Sequence, residues 1–304
     1  MTWGRDTDQH EAREQLEAFA ESGGTLVDTA ASYSDGQAER VLGDLLEKVV
    51  PRADLVIATK AGISRATGRR VVDVSRKAVL DQLDESLDRL GTDYVDLWQI
   101  HAWSDDVPPE ETLGALDYAV STGRARYAGV SNYSGWQTGY AVAFQNNAVG
   151  RTPVVSTQVE YSLVQRGVER EVLPAAVALG LGVLAWSPLG RGVLTGKYRN
   201  GTPADSRGAS PHFAGFVDPY LGQPSRRVVE AVSTAAEGLG VQPLEIALAW
   251  LCDTPGVTAA VVGARTAAQL RGILAGEDLV LPDEIRVALD EVSAPPAGYH
   301  DHSR

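Results

Sequence analysis

The chain of 304 residues holds a single cysteine, Cys252. That excludes an intrachain disulfide and any zinc site built on cysteines. It has no run of about 18 apolar residues, the length a membrane-crossing helix needs. Its opening, "MTWGRDTDQHEARE", has no apolar signal core. Positive charge is also scarce, with 27 Lys and Arg against 40 Asp and Glu, a net charge of -13. Such a field opposes nucleic acid and anionic membranes as main partners, although local basic residues can still admit a phosphorylated ligand. The expectation is a soluble cytoplasmic protein with neither partner. Oligomeric state is not legible.

What is present is ordinary globular material, 44% hydrophobic and 22% charged. Short runs rich in Val, Ile and Leu alternate with longer amphipathic segments. The runs are "TLVDTA" (25–30), "DLVIATKA" (54–61), "YVDLWQIHA" (94–102), "ARYAGVSN" (125–132), "STQVEYS" (156–162), "GVLAWSPL" (182–189) and "AAVVGA" (259–264). Between them, "RKAVLDQLDESLDRLG" puts Val79, Leu83, Leu87 and Leu90 on one helical face. Repeated strand-helix units imply a parallel sheet with right-handed crossovers. Seven units and a possible eighth strand favour an α/β fold, a single (β/α)8 TIM barrel over residues 1–304, against an open doubly wound sheet. The Gly-, Pro- and Ser-rich segment of about 190–225 reads as a long active-site loop, and about 295–304 as a flexible tail.

In such a barrel the chemistry sits at the C-terminal ends of strands. Asp28 lies near the end of the first run and Tyr33 on the loop after it, Lys60 closes the second and His101 closes the third. Each alone is ordinary. Together they suit carbonyl reduction: Tyr33 as general acid, Lys60 lowering its pKa from about 10, Asp28 holding the lysine, and His101 orienting the carbonyl. Moving the phenol by about three units corresponds to about 4 kcal/mol. Side chains cannot supply a hydride, so a nicotinamide cofactor is implied.

The motifs "VDTAASY", "AERVLGDLL", "ATK", "LWQIHAW", "GRARYAGVSN", "TQVEYSLVQR", "LAWSPLGRGVLTGKY" and "AAVVGARTAAQL" resemble those of the aldo-keto reductase family, from "MTWG" to about residue 294. The later motifs are most similar to the bacterial branch that includes the potassium-channel β subunits. The resemblance implies that Asp28, Tyr33, Lys60 and His101 are a catalytic tetrad with Tyr33 as proton donor. It also implies that Ser131, Asn132 and Gln158 hold a nicotinamide carboxamide and that Trp186 stacks on the ring. Ser187, Leu189, Gly190 and Gly192 would follow the pyrophosphate, with Lys197 and Arg207 as cationic contacts. Gly263, Arg265 and Gln269 would take the adenosine end, Arg265 meeting a 2′-phosphate; its planar fork suits that task and favours NADPH over NADH. Trp3 and Trp103 are candidates for the substrate mouth, with core packing as the alternative for both.

Two departures from the family pattern stand out. The family's N-terminal hairpin and most of its first strand, with a Gly-Thr pair that touches cofactor, have no counterpart ahead of "MTWG"; a truncated first strand is expected. Gly272 and Ile273 replace an acidic residue and an asparagine that meet the adenine. "GLGVLA" (180–185) fits a dinucleotide fingerprint but enters a strand, so it reads as a helix-to-strand turn. Cys252 reads as core packing. His300 and His302 suggest no metal site, for want of a third ligand. The leading function is an oxidoreductase that reduces an aldehyde or ketone, a small-molecule carbonyl substrate. A regulatory subunit that binds NADPH and turns over little is the alternative, and a Schiff-base aldolase using Lys60 a third class.

Overall fold

A computed structural model describes residues 1–65, 68–296 and 298. Helices and strands alternate along the chain. First come α1 (Gln9–Glu21), β1 (Leu26–Asp28), α2 (Gln37–Leu45), β2 (Val56–Ala61), β3 (Ile63–Ser64) and β4 (Val71–Val72). Then follow α3 (Arg76–Leu90), β5 (Val95–Ile100), α4 (Pro109–Ser121), β6 (Ala125–Ser131), α5 (Gly135–Asn146), β7 (Val154–Glu160) and α6 (Val172–Leu179). The rest is β8 (Gly182–Trp186), α7 (Ala214–Val217), α8 (Gln223–Leu239), α9 (Pro243–Cys252), β9 (Ala259–Val261), α10 (Ala267–Leu274) and α11 (Asp283–Val292).

Each of the seven runs read from the sequence forms a strand, and these strands are hydrogen-bonded in chain order, β1-β2-β5-β6-β7-β8-β9. Parallel strands in sequence order, each followed by a helix, are the architecture of a (β/α)8 barrel. Among the described residues, β1 is preceded by α1 and by an isolated bridge between Trp3 and Thr7. One element escaped the sequence reading, an antiparallel hairpin of β3 and β4 with Ile63 opposite Val72 and Ser64 opposite Val71.

Contacts divide the chain into two compact units. The first comprises Met1–Val159, Glu171–Val183 and Gly263–Leu274. Its helices form for local reasons. In α3 the Ser75 hydroxyl caps the Ala78 amide, Gly91 ends the helix at φ 64, and Val79, Leu83, Leu87 and Leu90 are buried along one face. Burying one such leucine contributes about 1.5–3 kcal/mol. The acidic opposite face is ion-paired in places, Asp84 to Arg124 and Glu85 to Arg89. Gly180 closes α6 at φ 72 just before β8, as the turn reading of "GLGVLA" expects.

The register sets up one shared face. Lys60 on β2 lies opposite Gln99 on β5, Gln99 opposite Gly129 on β6, and Gly129 opposite Ser156 on β7. A Cβ at Gly129 would stand 2.4 Å from the Ser156 Oγ and 3.1 Å from the Gln99 Cγ, so the absent side chain leaves room for both neighbours.

The second unit comprises Glu160–Arg170, Leu184–Val262 and Ala275–Arg304. In it Trp186 on β8 pairs with Val261 on β9. The segment expected as a long loop carries short 3-10 turns at Gly190–Thr195, Arg207–Ala209 and Asp218–Tyr220 besides α7. One expectation is corrected here: Cys252 ends α9 with an exposed side chain, because the apolar face of that helix stops at Leu251. The tail expectation falls largely on residue 297 and residues 299–304, with His300 and His302 among them, which lie outside the described residues.

Candidate active site

The first unit brings Asp28, Tyr33, Lys60 and His101 together. Beyond β1 the chain stays pinned to β2, the amides of Thr29 and Ala31 donating to the carbonyls of Ala58 and Lys60 at 2.8 and 3.0 Å. It then turns back through Ser34 and Asp35, both left-handed, and Gly36 at φ 84. The Lys60 ammonium donates to Asp28 Oδ2 at 2.6 Å, to the Thr29 carbonyl at 2.8 Å and to Tyr33 Oη at 3.4 Å. The Tyr33 and His101 rings meet edge-on, with centroids 5.9 Å apart.

A second layer supports this group. Gln158 donates to Asp28 Oδ1 at 2.9 Å. Ser131 Oγ donates to the Gln158 carbonyl at 2.9 Å, and the Asn132 amide side chain donates to the His101 carbonyl at 3.0 Å. Asn132 adopts φ 58, a left-handed conformation that asparagine tolerates. Behind β2, the fully buried Glu39 on α2 accepts from Thr59 Oγ1 at 2.6 Å and from Arg89 Nε at 2.7 Å.

Burial governs the electrostatics. Burial works to lower the Lys60 pKa, but the Asp28 carboxylate and the Tyr33 oxygen outweigh it and hold the lysine above its usual value. Burial first, then the cations Lys60, Arg70 and Arg65, push His101 well below the usual imidazole range, so its ring is neutral near pH 7. Tyr33 reverses the sequence expectation: burial raises its pKa, Lys60 pulls it down, and Asp28 pushes it up again, with a net rise. Desolvation of the phenolate outweighs attraction to a lysine whose charge Asp28 already balances. A neutral phenol held at a cation, beside a neutral imidazole, is an arrangement that can hand a proton to a developing oxyanion.

Of the other residues singled out in the sequence, Gly263, Arg265 and Gln269 also lie in the first unit. Arg265 N donates to Gln269 Oε1 at 3.0 Å. The Thr2 and Thr7 hydroxyls donate to the carbonyls of Ala264 and Arg265. Ile273 is buried on α10. Trp103 packs edge-on against both Tyr133 and the exposed Trp136, and its indole donates to Asp105 at 2.8 Å. Trp3 donates to Gln15 on α1 at 3.0 Å. Sequence reasoning missed Gln158's hold on Asp28, the support from Glu39, and Arg65 and Arg70 near His101. The hairpin carrying the two arginines did leave a signal, the β-branched pair Val71-Val72 close after Gly68.

The second unit holds Trp186, Ser187, Leu189, Gly190, Gly192, Lys197 and Arg207. Ser187, Gly190, Arg191 and Gly192 all have positive φ, a winding stretch that turns backbone amides in varied directions. A Cβ at Gly190 would strike Val164 at 2.5 Å, and one at Gly192 would approach the Lys197 ammonium to 3.2 Å. Glycine there keeps a backbone cradle open beside a cation, which suits a phosphate-bearing group. Trp186 lies nearly parallel to Phe216, at 17°. Arg191 forks onto Glu160 at 2.8 and 2.7 Å and lies over the Phe216 ring at 3.9 Å.

Parallel strands in (β/α)8 order, with titratable side chains converging at strand ends, define the class of a barrel enzyme. The chain belongs to the aldo/keto reductase family, whose sequence profile matches residues 1–294. It is 36% identical to a rice (Oryza sativa subsp. japonica) protein named a probable voltage-gated potassium channel subunit beta, over 87% of this chain and 81% of that one. It is 35% identical to L-glyceraldehyde 3-phosphate reductase of Escherichia coli (strain K12), over 81% of this chain and 72% of that one. To a protein of Bacillus subtilis (strain 168) named an uncharacterized oxidoreductase, it is 33% identical over 98% and 91%. Family and relatives together support an oxidoreductase. Among the described residues no helix is long and apolar enough to cross a membrane.

Proposed function

We propose that the chain is an NADPH-dependent reductase of aldehydes or ketones, with Tyr33 as proton donor. The observation that carries this reading is the convergence of Asp28, Lys60, Tyr33 and His101, with Lys60 3.4 Å from the Tyr33 oxygen. Reduced nicotinamide would supply the hydride. Ser131, Asn132 and Gln158 would hold its carboxamide, Trp186 its ring, and Ser187, Leu189, Gly190 and Gly192 its pyrophosphate. Lys197 and Arg207 would add positive charge, and Gly263, Arg265 and Gln269 would take the adenosine end. The glycine cradle beside Lys197 supports that assignment, and the Arg265 guanidinium favours NADPH over NADH.

In this mechanism His101, neutral, donates its ring N–H to the substrate carbonyl and turns it towards Tyr33. Tyr33 holds its proton until charge develops on the carbonyl oxygen, then donates it from Oη. Lys60 stabilises the phenolate left behind, and Asp28 keeps that cation in place. Trp103 and Trp3 would line the substrate mouth. The name of the E. coli relative, a reductase of a phosphorylated aldehyde, supports carbonyl reduction. We read residues 1–304 as one cytoplasmic domain.

Three relatives are named as "probable" or "putative" channel β subunits, which favours a second reading, an NADPH-binding regulatory subunit with little turnover. Following NADPH absorbance with an aromatic aldehyde decides between them. Under the reductase reading the wild type consumes NADPH and Tyr33→Phe loses at least about 100-fold of the rate, while both bind NADPH in a fluorescence titration. Tight binding with no turnover by the wild type would favour the regulatory reading instead.

A further inference from the structure

Strand β2 runs on past the catalytic lysine into the β3–β4 hairpin. Gly62 makes the turn at φ 103, where a Cβ would stand 2.8 Å from Val74 Cγ1. Because Ser64 lies opposite Val71, the next facing positions belong to Arg65 and Arg70, and Arg69 adjoins them. All three arginines are exposed. The root of this hairpin is tied to the site, since the His101 amide donates to the Ala61 carbonyl at 2.8 Å. Arg65 and Arg70 lie near enough to His101 for their charge to act on its ring.

An exposed arginine is usually just solvated. What sets these apart is their place, at the end of a hairpin whose root is bonded to His101. Several arginines elsewhere hold carboxylates, Arg52 with Asp96, Arg89 with Glu39, Arg191 with Glu160 and Arg286 with Asp253, while the exposed Arg40, Arg226, Arg227 and Arg271 make no ion pair among the described residues. Arg65, Arg69 and Arg70 have no such partner among the described residues. Asp73, which follows the hairpin in sequence, accepts from the Ser75 amide and makes no ion pair with these arginines among the described residues. Unbalanced positive charge therefore stands at the catalytic end of β2, in a molecule whose overall field repels anions.

We propose that Arg65 and Arg70 form an anion subsite at the rim of the active site, and that the substrate is a carbonyl compound bearing a carboxylate or phosphate group. The proposal rests on the reductase reading and deepens it. Each guanidinium offers paired N–H donors that match the oxygens of either anion, which a lysine would bind only as a point charge. The pair would draw the anionic end of the substrate to the hairpin and leave its carbonyl to His101 and Tyr33.

The test compares matched substrates on the full chain with NADPH: 4-carboxybenzaldehyde against its methyl ester, and 4-formylphenyl phosphate against 4-methoxybenzaldehyde. The expected KM is about tenfold lower for the anionic member of at least one pair, the size of one charge-assisted contact. That advantage should shrink as salt is raised from about 0.05 to 0.5 M. The more favoured anion tells carboxylate from phosphate. Arg65→Gln and Arg70→Gln should each raise KM for the anionic member several-fold more than for its neutral partner. A calorimetric titration with 4-(hydroxymethyl)benzoate and its methyl ester reads the same preference without turnover. Equal KM values within both pairs, or variants that affect anionic and neutral members alike, would overturn the subsite. If no aldehyde oxidises NADPH, the reductase reading fails, and the calorimetric preference still decides the subsite by itself.

Discussion

Lys60 and Asp28 stand 2.6 Å apart, with their side chains 0% and 6% exposed. Asp28 gives its other oxygen to Gln158, so the ion pair is hydrogen-bonded on both sides. A buried pair of this kind adds little net stability when complete, yet losing one member is costly.

Asp28→Asn should therefore destabilise the fold by about 3–5 kcal/mol, measured by urea unfolding at pH 7. Asp28→Leu with Lys60→Met, which removes both charges, should be closer to wild type than either single variant.

Alkaline pH should erode the same region. Lys60 and Tyr33 both have folded-state pKa values above their ordinary ones. Their contribution is complete below the unfolded values, about 10 for each, and is lost as pH rises through the folded values. The wild type should lose more stability as pH rises above about 10 than the Asp28→Leu, Lys60→Met variant does, followed by thermal melts across that range.

His101 carries the opposite sign. Its pKa is depressed in the folded state, so its contribution is present above the unfolded value of about 6.5 and is lost as pH falls. Below that pH the wild type should lose up to about 1.4 kcal/mol per unit more than His101→Gln, measured as the difference in unfolding free energy at pH 7, 6 and 5.

Gly129→Ala should cost about 1–3 kcal/mol by overpacking, since the new Cβ would meet Ser156 Oγ at 2.4 Å. Adding Ser156→Ala should restore part of the lost melting temperature, because it removes the closest atom. The backbone carbonyl of Ser156, at 3.2 Å, would keep the rescue incomplete.

Much of this architecture was legible in the sequence. The seven apolar runs became strands because parallel strands covered on both faces need continuous Val, Ile and Leu, and that demand is local. The grouping of Asp28, Tyr33, Lys60 and His101 followed from their places at successive strand ends. Three features were not legible. The direction of the Tyr33 shift depends on how fully the phenol is desolvated, and that is a property of packing. The exposure of Cys252 turns on where one helix face stops. The arginines of the β3–β4 hairpin gain their meaning from their place beside His101, and a meeting between distant residues leaves no local trace.

The bonds from Thr2 and Thr7 to Ala264 and Arg265 join residues 262 and 258 positions apart. They also bear on how the chain is made. The first unit includes Gly263–Leu274, so it cannot be completed while the ribosome is still reading the middle of the message. At about 5–20 residues per second, the opening threonines wait on the order of ten seconds or more for their partners to emerge. Through that interval the segment that tethers the beginning of the chain has not yet been synthesised.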